Sequence, residues 1–152
     1  MPNGPTISNS SCLIALDAVG QIEILRLLYT TITVPDAVAR ECGSAMPSWA
    51  NVQSVQDQAL VQSLNVNLGA GESEAIALAI ECSAANLILD DNKARRVAGH
   101  LQLPVTGTLA ILLRAKAGGH IATVRDVLDA LRGAGFFASD ALLQQILTAA
   151  GE

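Results

Sequence analysis

Hydrophobic and polar positions follow two rhythms along the chain: short apolar runs of strand length, and longer stretches in which apolar residues recur at helical spacing. Thr6-Ile7-Ser8 is a β-type run that ends in the polar cluster Asn9-Ser10-Ser11. Ser10 or Ser11 would cap a helix beginning near Cys12, with Leu13, Ala15 and Leu16 inward. Gly20 breaks that helix, and Ile22, Leu25 and Leu28 start another. Thr31 to Val34 is rich in β-branched residues and is read as a buried strand closed by Pro35. Pro35 suits the start of a helix with Val38 and Cys42 inward and Glu41 near its end. Gly43 to Ser48 is read as a loop, Val52 to Leu60 as a helix, and Asn65 to Leu68 as a short strand.

The pattern sharpens further on. Gly71 opens a helix with Ala75, Leu78, Ala79 and Cys82 on one face. Asn86 to Leu89 is a continuous apolar strand running into Asp90-Asp91. Ala94, Val97, Ala98 and Leu101 then repeat as one helical face. Pro104 to Thr106 is a further short strand, and helices follow over Leu109–Ala117, Val124–Leu131 and Ala141–Ala150. Strands alternating with helices predict an α/β fold with a mainly parallel central sheet covered on both faces, a three-layer α/β/α sandwich. In such sheets the site lies beyond the carboxyl ends of the strands.

Composition narrows the classes. A length of 152 residues with 51% hydrophobic and 15% charged content suits one folded domain over 1–152 and excludes a disordered chain. Aromatics at 3% cannot build the stacking platform of a single-strand-binding module. No apolar run approaches the roughly 20 residues of a membrane span, and the first residues lack the pattern of a secretory signal. A cytoplasmic location with no membrane partner is expected. Cys12, Cys42 and Cys82 form neither a disulfide framework nor a zinc motif and are read as small buried residues. His100 and His120 leave little material for a histidine metal centre or a triad.

Charge adds the candidate chemistry. Residues 1–91 carry ten acids against two bases, and 92–152 carry seven bases against four acids, within a net charge of −5. General attraction for nucleic acid is therefore absent, and any such binding must be local. Asn9 and Ser11, Glu41, Glu72 and Glu74, and Asp90 and Asp91 can all bring oxygen ligands to one sheet edge. That chemistry suits Mg²⁺ or Mn²⁺, hard cations that take one or two carboxylates with water and phosphate. Such an ion would activate water against a phosphodiester. Each acid also has an ordinary role at a helix start. Glu72 and Glu74 point about 200° apart on a helix, so only one of them faces the site.

Lys93, Arg96 and His100 form a stripe on the next helix, either a phosphate contact or a solvated face. Thr106 and Thr108 would support the acids or cap a helix. Gly69-Ala70-Gly71 lacks the third glycine of a dinucleotide fingerprint. A receiver-type phosphorylation domain needs an early acidic pair, and the pair here comes late. Trp49 is a local plug or a partner anchor. Leu142, Leu143, Ile146 and Leu147 form a core stripe or a partner face.

Ser8-Asn9-Ser10-Ser11-Cys12-Leu13-Ile14-Ala15-Leu16 resembles the opening of PIN-domain proteins. Gly71 to Ala79 and Leu89 to Ala98 are similar to the family's later acidic motifs. Thr106-Gly107-Thr108-Leu109, with Leu112, Leu113, Ala115 and Lys116, resembles a short prokaryotic branch related to VapC toxins. The resemblance covers about residues 6–151. It implies Mg²⁺- or Mn²⁺-dependent cleavage of RNA, a small antitoxin partner and a homodimer. By position, Asn9 stands where the family has its first metal-binding Asp, with Ser11 in support. Glu41 matches the second acid, Glu72 or Glu74 the third, and Asp91 or Asp90 the fourth. Asn9 offers a neutral carbonyl oxygen where the family has a carboxylate, which lowers the expected cation affinity and makes a weakened or non-catalytic binding module the alternative function.

Overall fold

The computed structural model describes residues 4–152. Five short strands, β1 (Thr6–Ser8), β2 (Thr33–Val34), β3 (Asn51–Val52), β4 (Asn86–Ile88) and β5 (Val105–Thr106), form one sheet in the order β3-β2-β1-β4-β5. Every pairing is parallel, with Ile7 opposite both Thr33 and Leu87, Val34 opposite Val52, and Ile88 opposite Thr106. Strands β2 and β3 step to one side of β1, and β4 and β5 lie on the other. The strand order therefore reverses between β1 and β4, where the crevice of an open α/β sheet forms.

The helices are α1 (Ser10–Ala18), α2 (Glu23–Tyr29), α3 (Asp36–Cys42), α4 (Gln58–Asn65), α5 (Ala70–Glu81), α6 (Asn92–His100), α7 (Thr108–Ala117), α8 (Val124–Gly133) and α9 (Asp140–Ala149). Alternate side chains of β4 separate the layers. Ile88 joins Leu13, Leu16, Leu25, Val34, Leu112, Leu128 and Leu147 on one face. Leu87 and Leu89 join Ile7, Ile76, Leu78, Ala94 and Ala98 on the other. Small Ala94 and Ala98 are fully buried and let α6 lie close to the sheet, while Lys93, Arg96 and His100 stay exposed. Trp49 is half-buried against the first core as a plug, and Leu143 and Leu147 are buried while Leu142 turns outward.

Three local expectations are corrected. Val52 to Leu60 is not one helix: Asn51–Val52 is an edge strand, and α4 begins at Gln58 behind its Asp57 cap. An edge strand of two exposed residues has no inward face to impose a period-two pattern. Asn65 to Leu68 is not a strand but the end of α4 and its following turn, with Leu68 buried and Val66 80% exposed. Finally, α1 begins at Ser10 itself, with Asn9 in the cap position, so neither serine caps it.

Candidate functional site

Asn9 follows β1 directly, and its N–H bonds the carbonyl of Ile88 at 3.0 Å, stitching the two strands at the switch point. In the cap position of α1 its side chain makes no capping bond. The residue is 1% exposed, and among the described residues neither its amide oxygen nor its amide nitrogen has a hydrogen-bond partner. A buried amide left unpaired costs free energy on the order of 1–3 kcal/mol, so this one is held in place by its surroundings and not by its own bonds.

The first turn of α1 gathers two further groups. Ser10 donates its hydroxyl to Glu41 Oε1 at 2.8 Å. Glu41, at the end of α3, also lies against Gly71 in the first turn of α5, where a Cβ would overlap the carboxylate. Two helix N-termini thus face this acid. Its Oε2 accepts no hydrogen bond among the described residues. Cys12 is buried beside Thr108 and Asp90. Burial pushes its thiol up to about 12, with the Thr108 hydrogen bond opposing and the Asp90 charge adding to the shift. The group is thus a protonated thiol and no nucleophile. Burial, then the adjacent Glu41 charge, raises Cys42 to about 11.

The remaining predicted acids separate into distinct settings. Asp90 is half-buried and accepts from the Thr108 N–H at 2.8 Å and the Thr108 hydroxyl at 2.5 Å, which ties the end of β4 to the start of α7. Asp91 is exposed and caps α6 through one oxygen, accepting from the Ala94 N–H at 2.8 Å. Glu74 accepts from the Ala37 N–H at 3.1 Å and lies 3.9 Å from Arg40, so it serves the start of α3. Glu72 turns the other way, with its carboxylate beside Gly69. Ser11 is exposed, Thr106 is buried in β5, and Lys93 and Arg96 are exposed on α6. The side chains of Glu41, Glu74, Asp90 and Asp91 therefore each meet the first turn of a helix.

Sequence reasoning gave Ser10 and Gly71 only local roles at helix starts, and gave Gly107 and Arg95 no individual role at the site. Arg95 donates to the Leu89 carbonyl at 2.9 Å and leans over Gly107. Its adjacency to the acidic pair was a signal, but helical spacing alone places it one step off the exposed stripe.

A model of the DUF3368 family, described as a PIN domain, matches residues 5–152. The chain belongs to the PIN-domain family. No curated protein matches it. A PIN domain has a nuclease-type fold, and PIN domains generally use divalent metal ions. Among the described residues no three His, Cys, Asp or Glu side chains cluster closely enough to hold an ion by themselves. Among the described residues the Asn9 amide is orphaned and buried, and Glu41 and Asp91 each keep one carboxylate oxygen that accepts no hydrogen bond. An all-oxygen set with at most two direct carboxylates fits Mg²⁺ or Mn²⁺ and not zinc. No helix of the described residues is long and apolar enough to cross a membrane.

Proposed function

We propose that this PIN domain is a Mg²⁺- or Mn²⁺-dependent endoribonuclease of the VapC-related type, hydrolysing RNA phosphodiester bonds. The reading rests on the unpartnered, buried Asn9 amide at the switch point, with Glu41 reaching the same α1 turn through Ser10. In this reading Glu41 and Asp91 hold the cation, each with one oxygen engaged in the fold and one available. Asn9 would offer its carbonyl oxygen as a further ligand, which would give its unpartnered amide oxygen a partner. A bound cation supplies activation of water and neutralises charge on the scissile phosphate.

The protein's own groups do the rest. Ser10 fixes one oxygen of Glu41 and thereby the rotamer of the other. Asp90, with both oxygens committed to Thr108, positions the Asp91 turn. Glu74 holds the start of α3 and with it Glu41. Glu72 and Ser11 lie at the rim, and Thr106 anchors the strand beside Thr108. Lys93 and Arg96 contact substrate phosphates.

The domain would act in the cytoplasm as a homodimer, with a small antitoxin covering apolar surface such as Phe137, which is 90% exposed. The test is cleavage of a labelled RNA in Mn²⁺ by the parent, Glu41→Gln and Asp91→Asn. Losses on the order of 10²-fold in both variants support the reading; unchanged cleavage contradicts it.

Asn9 also favours a second reading, a PIN-like binding or regulatory module with weakened or absent catalysis. A neutral ligand removes one charge from the ion's first contacts. In that case the parent binds RNA without cutting it, and Asn9→Asp restores cleavage.

A further inference from the structure

Beside the acidic edge lies an open cleft of about 530 Å³ lined by Asn92, Arg95 and Arg96. Arg95 is half-buried in it. One of its nitrogens is pinned to the Leu89 carbonyl, and among the described residues neither Arg95 nor Arg96 forms an ion pair. The guanidinium sits over Gly107, where a Cβ would lie 2.6 Å from Arg95 Nη1 and 3.3 Å from Asp90 Oδ1. Gly107 has φ −97° and ψ 167°, extended backbone open to any residue. What glycine supplies there is room for the arginine. Asp90 lies nearby but spends both oxygens on Thr108, so a partly desolvated guanidinium of fixed orientation, with no ion pair of its own among the described residues, is a preformed seat for an anion, and its planar fork matches two oxygens of one phosphate.

We propose that the Arg95–Arg96 cleft binds a backbone phosphate of single-stranded RNA one or more nucleotides from the bond to be cut, with Arg95 as the orienting contact and Gly107 as its seat. The site rests on the nuclease reading for its substrate but not on catalysis. Arg95 sets the register of the strand against Asp91, while exposed Arg96 and Lys93 add attraction without fixing position.

The test measures binding of an oligoribonucleotide of about ten nucleotides by fluorescence anisotropy in EDTA, where no cation is held and no cleavage occurs. Arg95→Met should bind about tenfold more weakly. It should also lower the slope of log K against log salt by about 0.7, one phosphate contact on a single strand. Gly107→Ala keeps every charge but displaces the guanidinium, and should give a similar loss of affinity. Thermal melts identify any variant that fails to fold, and the other variant then carries the test. Binding and slope unchanged in the folded variants overturn the proposal. Inorganic phosphate binding at this site as tightly as the strand does would overturn it too, making it a free-anion site. Loss of strand affinity with the Mn²⁺ response intact supports the cleft. An Arg95-dependent strand in a protein that never responds to metal leaves the cleft standing and removes the nuclease reading.

Discussion

Asp90 and Thr108 are joined twice, through the backbone N–H at 2.8 Å and the hydroxyl at 2.5 Å, so a single carboxylate locks the last residue after β4 to the first turn of α7. Adjacent Asp91 spends only one oxygen, on the Ala94 N–H. The pair thus divides its labour between a structural tie and a carboxylate with a free oxygen.

Thr108→Val keeps the N–H bond and removes the hydroxyl. Thr108 is fully buried, so the loss should cost about 1–2 kcal/mol in urea unfolding, with Mn²⁺ affinity within a few-fold of the parent. Loss of Mn²⁺ binding as complete as in Asp91→Asn would make Asp90 a ligand and remove this division.

Asn9→Asp should change sign with metal. In EDTA a buried charge without a partner lowers Tm. With Mn²⁺ the same carboxylate should be neutralised, so the rise in Tm on adding the ion should exceed that of the parent. Equal responses in both proteins would show that Asn9 does not face the cation.

Gly71→Ala places a Cβ on Glu41, whose carboxylate is the end of a flexible side chain. The acid should swing away and break its bond to Ser10, leaving the fold near the parent's stability and the Mn²⁺ affinity lowered about tenfold. Calorimetric titration and a melt on the same variant separate the two effects. A parent-like affinity would mean that the Ser10–Glu41 contact does not set the ligand.

Much of the architecture was legible in the sequence, because buried strands and amphipathic helices leave periodic marks. Leu87 to Leu89 reads as apolar without a break since both faces of β4 are covered. The failures fall where a face is missing. Val52 is exposed on an edge strand, and Val66 projects into solvent, so neither carries a pattern tied to the core. The acids at the strand ends were visible through topology. Their partners were not: Ser10 meets Glu41 across 31 positions and Thr108 meets Asp90 across 18, and no local rhythm encodes such pairings.

Glu152 gives a pH signature far from the site. It accepts from the Val124 N–H at 2.7 Å, the Arg125 N–H at 3.0 Å and Lys116 Nζ at 3.0 Å. These bonds, the Val124 one first, hold its carboxyl down to about 2, against an ordinary value of 4.5. A depressed folded pKa means the stabilisation is complete above the ordinary range and is lost as pH falls toward about 2. The Tm gap between the parent and Glu152→Gln should therefore be widest above pH 4.5 and shrink toward pH 2. A gap independent of pH would rule out the carboxylate as its source.

The most direct test of the proposed metal site is calorimetric titration of Mn²⁺ into the parent, Glu41→Gln and Asp91→Asn. Both variants keep an oxygen for the Ser10 or Ala94 bond and lose only the charge. The account predicts a single saturable event in the parent that disappears in both variants while their melts in EDTA match the parent's. Saturable binding that persists in both, or none in the parent, would contradict it.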